Sequence, residues 1–130
     1  LRMTWDQQAA ELVAGNVAAF GVSVTVKHVT ARGYDTATGK NGRTESSTTV
    51  TAMRGLDFFV SSAPAGCEQV GRVYSFAFDP ATGTLSGQSF AIDREDRIVD
   101  GIETWVVSGV PVRTSNGNQL DVRCCRQKTF

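Results

Sequence analysis

The chain has 130 residues and a mass of 13.9 kDa, with 41% apolar and 20% charged residues. Those proportions suit one domain with a core of its own and favour neither a disordered nor a membrane class. Thirteen basic residues balance thirteen acidic ones, so bulk electrostatics argue against a protein built to grip nucleic acid or an anionic membrane. No apolar run approaches the ~20 residues of a spanning helix. No signal-peptide pattern opens the chain, and Met3 is a candidate natural start.

A helix is predicted first, over about 4–15. Thr4 and Gln7 have capping-box spacing, Asp6 suits the positive end of the dipole, and Gly15-Asn16 reads as a stop. Trp5, Ala9 and Leu12 recur at i, i+4 and i+7, with Val13 widening the stripe. Packing of that face on the rest of the domain is expected, with docking on a partner as the alternative.

The period then changes to two. Val22, Val24 and Val26 alternate with Ser23, Thr25 and Lys27, predicting a half-buried strand that runs on towards Tyr34. Asp35-Thr36-Ala37-Thr38-Gly39 reads as a turn, and Arg43 to Met53, rich in Thr, Ser and Val, as the return strand. Leu56, Phe58, Phe59 and Val60 form a short apolar cluster before a loop, Ser61 to Gly66. Tyr74, Phe76 and Phe78 then share one face of a strand. A second Asp-x-Ala-Thr-Gly turn follows at Asp79–Gly83, and Phe90 and Ile92 are expected to head a partner strand. Asp100-Gly101 between two β-rich runs predicts a hairpin, and Asn116-Gly117 repeats the device before Leu120, Val122 and Cys124. No helical crossovers separate the strands, which argues against a parallel α/β fold. The expected fold is therefore mainly β: a short N-terminal helix, then an antiparallel barrel or sandwich of about six strands over about 21–126.

Three cysteines, Cys67, Cys124 and Cys125, make an odd count with two adjacent. Free thiols of an intracellular protein are expected, with a vicinal disulfide or a metal site as alternatives. Neighbours in a strand face opposite ways, so at most one of Cys124 and Cys125 should join the core.

A catalytic site is not found. The one histidine, His28, lies in a strand pattern and reads as a surface or edge residue with no nucleophile signature near it. Gly39-Lys40-Asn41-Gly42 is a polar turn rather than a phosphate cradle. Asp93, Glu95, Asp96 and Asp100 are interleaved with Arg94 and Arg97, which reads as a solvated, self-compensated strand junction without the form of a calcium loop. Arg123, Arg126 and Lys128 make the C-terminal end basic, but without interleaved aromatics they do not make a nucleic-acid surface. No catalytic, cofactor or metal residues are assigned. What remains is binding or assembly. The hairpin of about 30–51, poor in core residues near its tip, should project from the body and offer strand edges to another copy of the chain; a solvated loop is the alternative.

The order of elements resembles the small head–tail connector proteins of tailed bacteriophages and prophages, of the head-closure or neck type. The likeness rests on Tyr34-Asp35-Thr36-Ala37-Thr38-Gly39 with the Thr-rich return Thr44 to Thr51, and on the run from Asp96 through Asp100-Gly101 to Trp105-Val106-Val107. The chain departs from the pattern at Asp79–Gly83 and in its paired cysteines. The resemblance implies a non-enzymatic virion subunit that forms a homo-oligomeric ring between portal and tail proteins, assembled in host cytoplasm. DNA would pass through the ring without being read. On this view Tyr34, Asp35, Gly39, Lys40 and Arg43 contact the next subunit. Trp5, Leu12 and Trp105 anchor the helix to a barrel whose core includes Val24, Tyr74, Phe76 and Val122. A small β-barrel module for a ligand or peptide is the alternative from another class.

Overall fold

The computed structural model describes residues 5–35 and 40–128, with the side chains of 6, 31–35 and 40–43 outside the description. One helix, α1 (Trp5–Phe20), precedes the strands β1 (Val22–Asp35), β2 (Lys40–Arg54), β3 (Phe58–Phe59), β4 (Cys67–Asp79), β5 (Thr84–Leu85), β6 (Arg97–Asp100), β7 (Glu103–Val107), β8 (Val112–Thr114) and β9 (Gln119–Gln127). Six strands close a ring in the order β4-β2-β1-β6-β7-β9, and β9 pairs back to β4. All pairings are antiparallel, with β3 and β5 added to β4 and β8 to β9. The expected helix-plus-barrel architecture is the one found, as a closed barrel rather than a sandwich.

Alternation places the core. Val24 and Val26, Tyr74, Phe76 and Phe78, Ile98, Trp105 and Val107, and Leu120, Val122 and Cys124 all point inward and are buried. Each such side chain contributes roughly 1.5–3 kcal/mol by leaving water. Leu85 and Ile92 plug the barrel from the connection between β4 and β6.

The helix differs from its sequence reading in length and in face. It runs through Gly15-Asn16 to Phe20 and stops at Gly21, whose N–H donates to the Val17 carbonyl at 2.8 Å. A Cβ at Gly21 would stand 2.2 Å from that same oxygen, so glycine is required there, whereas nothing lies within 4 Å of one at Gly15. Val13 and Val17, one turn apart, are the buried contacts; Trp5 is 83% exposed and Leu12 66%. The apolar arc is wider than the barrel covers, and the barrel takes the Val13–Val17 side of it. Trp5 and Leu12 are therefore not the anchors. Thr4, half of the expected capping box, lies outside the described residues.

Two connections also differ. The Asp79 turn leads at once into β5, with Phe78 opposite Leu85, and no strand forms at Phe90 and Ile92. The Asp79 carboxylate accepts the Ala81 N–H at 3.0 Å, the local bond that an Asp-initiated turn uses. In the Asp-Gly hairpin Asp100 is the last residue of β6, opposite Glu103, so the two-residue loop is Gly101-Ile102. Gly101 has φ 63°, as the first loop position of a type II′ turn requires.

The cysteines are not three free thiols. Cys67 and Cys125 form a disulfide with their Cα atoms 5.8 Å apart, and Cys124 is free and buried. Cys124 and Cys125 do face opposite ways, yet both are buried: Cys124 in the core, Cys125 on the outer face beneath its bond to Cys67.

Candidate functional site

The inward alternation that builds the core also carries charge into one end of the barrel. Arg72 precedes Tyr74 on the inner face of β4, and Asp100 follows Ile98 on that of β6. The Asp100 carboxylate accepts from Arg54 Nε at 2.7 Å and Nη2 at 2.6 Å, from the Tyr74 hydroxyl at 2.7 Å and from Arg72 Nη1 at 3.4 Å. Arg72 also donates to the Tyr74 oxygen at 2.9 Å and to Asp57 at 2.6 Å, and its guanidinium lies 4.2 Å from the Trp105 ring centre. The hydrogen bonds from Arg54 hold the Asp100 carboxyl below the usual carboxylate range, although burial works the other way. Burial would lower the Arg72 pKa, but its bonds to Asp57 and Tyr74 outweigh that and leave it raised. Burial pushes the Tyr74 phenol up. Two guanidiniums and two carboxylates thus neutralise one another beside the core. Their mutual hydrogen bonds fix the geometry of this end of the barrel.

The junction read as solvated is therefore corrected. Asp96 is 1% exposed and Asp100 is buried, and neither is compensated by Arg94 or Arg97. Asp96 accepts from His28 Nδ1 at 2.6 Å and from the backbone N–H groups of Val29 and Asp93 at 3.0 and 2.9 Å. His28 is corrected with it: its ring is largely buried, and it stacks on Phe90 with centroids 5.0 Å apart. The pair ties β1 to the start of β6. Arg97 turns outward to both carboxylate oxygens of Glu45, at 2.8 and 2.7 Å. The inward parity of Asp100 with Ile98 and of Arg72 with Tyr74 was the available signal for the cluster. Among the described residues no group of three or more His, Cys, Asp or Glu side chains is placed to hold a metal ion, and no helix is long and apolar enough to cross a membrane.

Of the residues expected to meet a neighbour, Gly39 lies outside the described residues, as do the side chains of Tyr34, Asp35, Lys40 and Arg43. The backbone of those four belongs to the far part of the β1–β2 ribbon, where Tyr34 pairs with Asn41, Asp35 with Lys40 and Arg32 with Arg43. β1 meets β6 over Thr25–Lys27, and β2 meets β4 at Met53–Arg54. Beyond a bulge at Thr30, the described residues of the two strands pair only with each other. Among the described residues no further strand pairs with either outer edge of the ribbon there, the arrangement that lets a further strand add.

No family model matches the chain, and no curated protein matches it in sequence. Solved structures of similar fold include a chain of the virion of a native gene transfer agent particle, with a TM-score of 0.57 and 13% identity over 84% of this chain and 96% of that one. They also include the solution structure of protein SF1141 from Shigella flexneri 2a, with a TM-score of 0.50 and 17% identity over 80% of this chain and 89% of that one. At these identities what is shared is the fold: a helix followed by a small closed barrel.

Proposed function

We propose that the chain is a structural protein of a phage-like virion, and within it a head-closure subunit of the neck, joining portal and tail proteins as a homo-oligomeric ring. The observation that carries this reading is the β1–β2 ribbon beyond Thr30, open at both edges on a barrel that is otherwise closed. Its fold is similar to that of a chain from a gene transfer agent virion, matched over 84% of this chain and 96% of that one, and the turn motifs at Tyr34–Gly39 and Asp96–Val107 point the same way. Trp5, Leu12, Phe20, Leu56 and Phe59 are each more than half exposed. No catalysis is assigned: the buried acids and bases are paired with one another. In this reading DNA passes through the ring without its sequence being read, and the protein's place is the virion.

Sedimentation over a range of concentrations tests the proposal. The intact chain is expected to associate, and a chain whose residues 35–42 are replaced by a two-residue turn is expected to keep its circular dichroism and lose association. Equal association by the trimmed chain, or a monomer for the intact chain at every concentration up to millimolar, would sink the ring.

A further inference from the structure

We propose that the Cys67–Cys125 cystine is a reversible redox latch on the barrel seam: closed, it pins the 56–71 segment to the end of β9, and reduced, that corner opens while the barrel keeps its core. The ladder between β4 and β9 runs from Ala77 opposite Gln119 to Gly71 opposite Cys125, then breaks register and resumes only at Cys67 opposite Gln127. The disulfide lies across that break. Elsewhere the 56–71 segment is held to β4 by the Asp57–Arg72 ion pair and the β3 pairing, and the end of β9 to β7 by the pairs Trp105–Arg126 and Val106–Cys125. Between the start of β4 and the end of β9 the other ties are slight. Lys128 N–H donates to the Gly66 carbonyl at 2.8 Å, Phe58 packs on Gly71, and Arg126 meets Glu68 as an ion pair about one third exposed at both ends, of the kind that adds little. β3, which covers the corner, is two residues long. Neither Cys67 nor Cys125 belongs to the core cluster, whereas Cys124 does. The covalent bond therefore restrains an edge of the molecule on which the core does not depend.

The cystine is buried, Cys67 at 4% exposure and Cys125 at 1%. Cys67 nevertheless forms part of the wall of an open cavity of about 360 Å³ together with Pro64, Ala65, Gly66 and Arg97, which brings a small thiol nearest to it. A small dithiol entering there attacks the Cys67 sulfur as a thiolate; the S–S bond breaks and Cys125 leaves as a thiolate that takes up a proton. The second thiol of the reductant then displaces Cys67, closing its own disulfide. In sum two electrons and two protons pass from dithiol to cystine, and a disulfide oxidant reverses the step. Cys124, next to Cys125 in sequence, does not interfere: it points into the core, and burial pushes its thiol up to about 12, so it does not supply a competing thiolate. In a particle built inside a cell and carried outside it, the latch would be open during assembly and closed afterwards. That timing rests on the virion reading; the latch itself does not, and its test uses the isolated subunit.

The test is iodoacetamide labelling with amide exchange on the full chain. Before reduction none of the three cysteines should label. After dithiothreitol, Cys67 and Cys125 should label together while Cys124 waits for denaturant. Amides of 66–71 and 125–128 should then exchange at least about tenfold faster than in the oxidised chain, with those of Phe76 and Val122 remaining the slower set. A Cys67→Ser, Cys125→Ser chain should show the same fast corner without reductant. Labelling of Cys67 and Cys125 before reduction, labelling of Cys124 in step with them, or corner amides that exchange no faster after reduction would each overturn the latch.

Discussion

Replacing Asp100 by Asn removes one charge from the barrel-end cluster and leaves its shape. The carboxylate accepts two bonds from Arg54, one from the Tyr74 hydroxyl and a longer one from Arg72. Hydrogen bonds to a charged group contribute roughly 1.5–3 kcal/mol each when buried. The Arg54 side chain is 42% exposed and recovers water when released, so its share falls to under about 1 kcal/mol. On the buried side the new amide turns an N–H₂ towards donors it cannot satisfy, which brings the expected loss to roughly 2–3 kcal/mol. With a urea slope of roughly 1–3 kcal/mol per molar, the midpoint should fall by about 0.7–3 M at unchanged slope. The sign in pH follows from the depressed Asp100 pKa. Its contribution is fully present above the ordinary carboxylate range and is lost as pH falls through the lower native value. The variant should therefore lose less stability than the wild type on acidification. Equilibrium urea unfolding at neutral and acid pH measures both effects. A loss below about 0.5 kcal/mol at neutral pH, within the scatter of surface substitutions, would refute the reasoning.

Four further substitutions probe other parts of the fold. Cys67→Ser opens a disulfide that closes a 58-residue separation; chain entropy assigns that closure about 4 kcal/mol, to be read by denaturant unfolding without reductant. Val13→Ala should cost about 1–2 kcal/mol and Leu12→Ala less than about 0.5 kcal/mol by thermal melting, and the opposite order would restore the helix face read from periodicity. Gly71→Ala would set a Cβ 2.3 Å from the Phe58 ring; displacing β3 should cost roughly 1–3 kcal/mol, and a melting temperature equal to the wild type's would show that Phe58 does not rest there.

Alternation made most of the barrel legible: the Val22–Val26, Tyr74–Phe78 and Leu120–Cys124 runs are inner faces of strands in the structure. What escaped is non-local. The helix carries an apolar arc from Trp5 round to Val17, and only the position of the barrel decides which half is covered. Its end at Gly21 is set by contact with the Val17 carbonyl and with Thr51 on another strand. Asp100 looked solvated because its neighbours in sequence are charged, while its cationic partners, Arg54 and Arg72, come from strands 46 and 28 residues away. Cys67 and Cys125 likewise meet only because β4 and β9 close the ring.

That closure also sets how the chain must reach its native state. β1 and β2 are joined by a short connection and can zip from it, as hairpins do in about 1–10 μs. The joins of β4 to β9 and of β1 to β6 each require segments distant in sequence to meet before any bond between them forms. Ordering so much intervening chain in advance places the search in the millisecond-to-second range of non-local β topologies. Until the last join is made, the ends of an incomplete sheet stand open to neighbouring chains during synthesis.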